Sequence, residues 1–215
     1  MKKRKILLFT LVCTLALSSA MAACADVVGR TQDGYIHRYT AENGQDIFFV
    51  STEENPQILT DTDVNFDGHP DLAIVTSMGV SNTFYTFYVW DGSKYVYPQC
   101  MTDGIANYEL VDGKYVVSHS NDGWAGALFK DQICVWNGSA LEALRTMVSE
   151  EETVTEVDGS VARTTTNSER LHVTLWETDK ESGKQHVLWE RTYDPVPEDD
   201  ASYEEMTQKL WEGLK

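Results

Sequence analysis

The sequence predicts an all-β protein, an antiparallel meander of hairpins that ends in one C-terminal helix. Three observations carry that prediction. Asp91-Gly92, Asp112-Gly113, Asn137-Gly138 and Asp158-Gly159 are Asx-Gly pairs, each set between runs of β-favouring residues, the pattern of a two-residue hairpin turn. Apolar and polar residues alternate over 83–90 and 172–176, as in strands with one wet face. Finally, Ser202-Tyr203-Glu204-Glu205 reads as a capping box, and Tyr203, Met206, Leu210 and Leu214 fall on one face at helical spacing.

From the N-terminus, Lys2, Lys3, Arg4 and Lys5 precede an apolar run over 6–17 and small residues from Ser18, which marks 1–23 as an export signal. Met21-Ala22-Ala23-Cys24 resembles a bacterial lipobox, in which Cys24 is lipidated and becomes the first residue. Cleavage after Ala22 by the ordinary signal peptidase, giving a secreted soluble chain, is the alternative. A tether over 24–34 then leads to a β domain over 35–198. Its strands are expected near 35–40, 45–50, 72–78, 83–90, 94–97, 106–111, 114–119, 127–136, 140–148, 152–157, 160–166, 169–177 and 185–193. Pro195 and Pro197 stop the last of these, and an amphipathic helix occupies 199–215.

One segment specifies a chemistry. Residues 61–71 read Asp-Thr-Asp-Val-Asn-Phe-Asp-Gly-His-Pro-Asp. A calcium loop takes oxygen ligands from alternate positions and turns on a glycine at its sixth. With Asp63 first, Asn65 is third, Asp67 fifth and Gly68 sixth; His69 supplies a backbone carbonyl at the seventh and Asp71 falls at the ninth. A start at Asp61 would put Phe66 where the glycine belongs. The expected ligands are therefore Asp63, Asn65, Asp67, His69 and Asp71. An EF-hand would need a bidentate Glu at position twelve, but Ile74 stands there, inside the apolar run 72–75 that suits a buried strand.

The whole chain carries 34 acidic against 17 basic residues, a net charge of −17, and loss of the four bases in the leader brings it to about −21. Such a surface disfavours nucleic acid and anionic lipid as partners and steers a basic protein toward it. Cys100 and Cys134 remain as a candidate disulfide, with two buried thiols as the alternative. No run after the leader is long enough to span a membrane, so the membrane is reached only through the lipid on Cys24.

Within residues 118–126, read as a polar loop, Trp124 between glycines is a candidate anchor for a partner or a sugar, with Asn121 and Asp122 beside it. Val89-Trp90-Asp91-Gly92-Ser93 recurs as Val135-Trp136-Asn137-Gly138-Ser139, a weak repeat that leaves the architecture open between a sandwich and a propeller-like array. No nucleophile elbow, paired-histidine zinc motif, phosphate loop or dinucleotide fingerprint is present. His172 and His186 face each other only loosely across the expected last hairpin.

The run Asp63-Val64-Asn65-Phe66-Asp67-Gly68-His69-Pro70-Asp71-Leu72, leading into a strand, resembles the shortened calcium loop of FG-GAP blades of the integrin-propeller type. With the aromatic strands that end in Trp-Asp-Gly, it is also similar to secreted bacterial β-proteins that include inhibitors of lysozyme-like hydrolases. The resemblance implies calcium as cofactor, a cell-envelope location and a basic hydrolase as partner. The sequence is thus read as a non-catalytic, calcium-stabilised envelope lipoprotein that acts as a binding module. A polysaccharide hydrolase using acidic residues and a purely structural β-module are the competing readings.

Overall fold

A computed structural model describes residues 23–98, 104–123, 127–158, 161–197 and 200–214, with backbone alone over 153–169. The chain forms three antiparallel sheets in succession. The first is β1 (Asp26–Thr31), β2 (Gly34–Thr40) and β3 (Asp46–Ser51); the second is β4 (Ile58–Thr62), β5 (Asp71–Met78), β6 (Thr83–Trp90) and β7 (Tyr95–Val96). The third runs β8 (Glu109–Val111), β9 (Tyr115–Gly123), β10 (Leu128–Trp136), β11 (Leu141–Asp158), β12 (Val161–Thr178) and β13 (Gln185–Tyr193), followed by α1 (Asp200–Trp211). Within each sheet every strand pairs with the next in sequence, so the meander of hairpins is the observed topology, and the sheets do not close into a barrel.

The second sheet feeds two cores because successive side chains of a strand point to opposite faces. Leu72 and Ile74 of β5 join Tyr39, Ile47 and Phe49 of the first sheet. Ala73, with Phe87 and Val89 of β6, joins Val116, Cys134 and Leu141 of the third. Leu72, Ala73, Ile74 and Val75 are all buried, as the apolar run 72–75 predicted. The wet face expected of β6 is missing for the same reason: no residue of 83–90 is fully exposed, since this sheet has a neighbour on each side.

Several boundaries differ from the sequence reading. Residues 26–31 of the segment read as a tether form β1, paired with β2. Strand β4 is an addition; Asp61 and two threonines hide it, but Ile58 pairs with Ile74 and Leu59 with Ala73. The expected breaks at the Glu150-Glu151-Glu152 run and before residue 169 are absent. β11 and β12 instead run 18 residues each, with the irregularity absorbed as a register shift between Glu151 and Glu152.

Among the Asx-Gly turns, Asp112-Gly113 has the backbone of the predicted turn, but Val111 pairs with Tyr115, so its loop holds three residues. Both residues have positive φ, 55° and 63°, and Lys114 donates its N–H to the Val111 carbonyl, the geometry of a type I′ turn. Asp91-Gly92 and Asn137-Gly138 open four-residue loops, because Trp90 pairs with Tyr95 and Trp136 with Leu141. Asp158 pairs with Val161, and the two residues between them lie outside the described segments.

Helix α1 packs on the third sheet. Met206 and Leu210 are buried among Tyr115, Leu144 and Met147, with Tyr203, Trp211 and Leu214 partly buried beside them. Its start at Asp200 puts Ser202 inside the first turn, not at the cap, and Glu205 pairs with Arg191. Arg145 of β11 holds the other end: Nη1 donates to the carbonyls of Leu210 at 2.9 Å and Glu212 at 2.8 Å, while Nε and Nη2 donate to Glu177 Oε1.

Candidate functional site

The acidic loop joins β4 to β5 and folds on its own side chains. Asp63 accepts the N–H of Asp67 on Oδ1 at 3.2 Å and that of Gly68 on Oδ2 at 3.0 Å. Asn65 Oδ1 also accepts from Asp67 N–H, its Nδ2 donates to Asp67 Oδ2 at 2.9 Å, and Asp67 Oδ1 accepts from His69 N–H at 2.8 Å. Gly68 has φ 86°, as the register required. Phe66 at φ 58° is less expected, since a side chain there is strained by roughly 1–2 kcal/mol. Its ring, with the fully buried Val64, packs into the core between the second and third sheets, and that burial offsets the strain.

Asp71 stands apart from the other acids. Its side chain has no solvent exposure; Oδ2 accepts the N–H of Val64 at 2.9 Å and Oδ1 that of Trp90 at 2.8 Å. Burial pushes its carboxyl up to about 6, against the pull of those two N–H groups, and the charges of Asp63 and Asp67 add to the rise. Asp71 thus ties the loop to the end of β6.

The donors gathered here are all oxygens, the class that calcium takes. No ion pair among the described residues involves Asp61, Asp63, Asp67 or Asp71, so the loop's negative charge has no protein cation beside it. Among the described residues no three His, Cys, Asp or Glu side chains converge as a ready metal cage. Two of the five expected donors lie outside that class, the Asn65 amide and the His69 carbonyl. Asp71 has both oxygens engaged with backbone N–H groups, although a carboxylate oxygen keeps a second lone pair.

Trp90 stands between two cavities bordered by this loop. One, of about 660 Å³, is lined by Asn65, Asp67, Trp90, Tyr97 and Trp136 among others. The repeated motif meets there, and its two copies share one turn. Asp91 Oδ1 accepts the N–H groups of Ser93 and Lys94, and Asn137 Oδ1 those of Ser139 and Ala140. The first residue's own N–H donates across each loop, Asp91 to Lys94 O and Asn137 to Ala140 O. The other cavity, of about 450 Å³, lies toward the first sheet and includes Tyr39, Glu42, His69, Trp90 and Tyr95. Sequence reasoning singled out Trp90 only as a repeat. Its aromatic partners were invisible because Tyr39 and Tyr95 are 56 positions apart in the chain.

The remaining expected residues fall as follows. Cys24 is exposed two positions before β1. Cys134 is fully buried, and that burial pushes its thiol up to about 12; Cys100 lies outside the described residues, as do Trp124 and all of the leader 1–23 but Ala23. Asn121 and Asp122 are in β9, not a loop. Asn121 is bound through its backbone N–H and carbonyl to the side chain of Asn82, and Asn107 donates to Ser81 O, Asn82 Oδ1 and His119 O. These asparagines join the second sheet to the third. His172 bonds Thr192 and His186 lies near Glu177, so the two histidines engage different partners.

No helix among the described residues is long and apolar enough to cross a membrane. No family model and no curated protein matches the chain. Among solved structures, a Xanthomonas type IV secretion system related protein is similar at 13% identity and a TM-score of 0.44, over 76% of this chain and 85% of that one.

Proposed function

We propose that the chain is a non-catalytic, calcium-stabilised lipoprotein of the bacterial envelope that serves as a binding module, anchored through Cys24. The observation that carries this reading is the acidic loop. Its carboxylates and amide oxygen are held in place by its own backbone, with no ion pair to a protein cation among the described residues. Asp63, Asn65, Asp67 and the His69 carbonyl would hold the ion, with Asp71 behind them fixing the loop to β6. Calcium supplies there the positive charge that lets adjacent carboxylates stay ionised at close range.

The non-catalytic reading is supported by the acid with the largest shift, Asp71, which is sealed from solvent and committed to two backbone donors. An acid catalyst needs a face toward substrate. The net charge of −17 suits a basic protein as partner, and lysozyme-like hydrolases fit that description.

Thermal melting with calcium and with chelator tests the ion. A ligand that binds only the folded state at a hundredfold excess over its dissociation constant stabilises by about 2.7 kcal/mol, so calcium should raise the melting temperature and Asp67→Ala should abolish the rise. A melt insensitive to chelator in the unsubstituted chain overturns the calcium reading. Absence of binding to a lysozyme at low salt overturns the choice of partner.

A further inference from the structure

The cavity between the first and second sheets has aromatic walls and an acidic rim. Tyr39 of β2, Trp90 of β6 and Tyr95 of β7 supply aromatic surface, and Glu42 supplies a carboxylate at the rim. Trp90 and Tyr95 pack edge to face with ring centres 5.1 Å apart. Glu42 makes no ion pair among the described residues; burial raises the Tyr39 and Tyr95 phenols, and the Glu42 charge adds to the rise of each. Among the described residues no lysine or arginine lines the cavity, and His69 is its one imidazole.

The walls are fixed before any ligand arrives. Gln45, in the β2–β3 turn, donates through Nε2 to the Tyr95 carbonyl and accepts the Tyr95 N–H on Oε1, both at 2.7 Å. Asn43 adds a bond to Ser93 O at 3.4 Å. On the opposite side, Asp71 holds the Trp90 N–H. Aromatic faces attract cations electrostatically, most strongly where water is displaced, and preorganised walls reduce the ordering that binding requires.

We infer that this cavity receives the guanidinium or ammonium group of an arginine or lysine side chain presented by a basic protein partner. The inference rests on the binding-module reading and gives that module its contact point. Nothing in it requires calcium, so it can fail while the calcium reading stands.

The test uses the full chain in detergent and follows the Trp90 and Tyr95 signals by NMR during titration. The probes are N-acetyl-arginine amide, its neutral isostere N-acetyl-citrulline amide, and N-acetylglucosamine. Saturable shifts are expected with the arginine probe, with citrulline at least about tenfold weaker. Glu42→Gln, an exposed substitution that should leave the melting temperature unchanged, should weaken the arginine probe about threefold to tenfold, and Trp90→Leu should remove its binding. Equal binding of citrulline, indifference to Glu42→Gln, no binding of the arginine probe, or binding of the sugar alone would each overturn the assignment. A chelator melt on the same sample reports separately on the ion.

Discussion

The carboxylate of Asp71 accepts the backbone N–H of Trp90 at 2.8 Å, and its other oxygen accepts that of Val64 at 2.9 Å. One buried side chain therefore joins the acidic loop to the aromatic wall shared by both cavities. The loop leads into β5 and Trp90 ends β6, and the bond fixes the loop relative to the wall.

Asp71→Ala leaves two N–H groups facing a sealed gap. Each buried donor left unpaired costs about 1–3 kcal/mol, so urea denaturation should show a loss of about 2–6 kcal/mol. Asp71→Asn keeps one acceptor and turns an NH₂ toward the other donor, and should fall between wild type and Ala. An alanine variant as stable as the parent would mean that the two amides find other partners.

The meander was legible because its signals are local. Hairpin turns, strand composition and the helical stripe ending in Leu214 are each written within a dozen residues, and the buried run 72–75 follows from its composition alone. Relations between sheets were not legible. Nothing in the sequence singles out Asn82 or Asn107, and Asn121 is read there as a partner contact, yet the three clamp two sheets together. The cavity walls join β2 to β7 through Gln45, a residue with no pattern around it. Turn length also escaped, since an Asx side chain that caps its own loop at Asp91 or Asn137 favours four residues over two.

Gly68→Ala separates conformational from steric cost in the loop. The glycine has φ 86°, and an added Cβ would meet nothing within 4 Å. Only the left-handed backbone opposes the substitution, at about 1–2 kcal/mol. Chemical denaturation should show that modest loss, and the calcium stabilisation proposed above should survive the substitution. A much larger loss would point to packing that the open space around this position does not contain.

Arg145 is 7% exposed and joins β11 to the end of α1 through the Leu210 and Glu212 carbonyls while paired with Glu177. Arg145→Met keeps volume but removes every donor. A loss of about 2–4 kcal/mol is expected, and hydrogen exchange should show α1 losing protection while β9 and β10 keep theirs. Uniform loss across the sheet would instead make Arg145 a general core residue.

His119 and Asp131 form a close pair across β9 and β10. The hydrogen bond to Asp131 raises the His119 imidazole above its ordinary 6.5, against the opposing effect of burial, with the charges of Asp131 and Asp122 assisting. Because the folded value lies above the unfolded one, the pair's stabilisation is fully present below pH 6.5 and is lost as pH rises through the folded value. His119 is half exposed, so the effect is small and falls further with salt. The difference in stability between the parent and His119→Gln should therefore shrink as pH climbs from 6 toward 8, and an NMR titration should place the imidazole above 6.5. A difference that is constant over that range, or an imidazole titrating below 6.5, would show that the ion pair contributes nothing to folding.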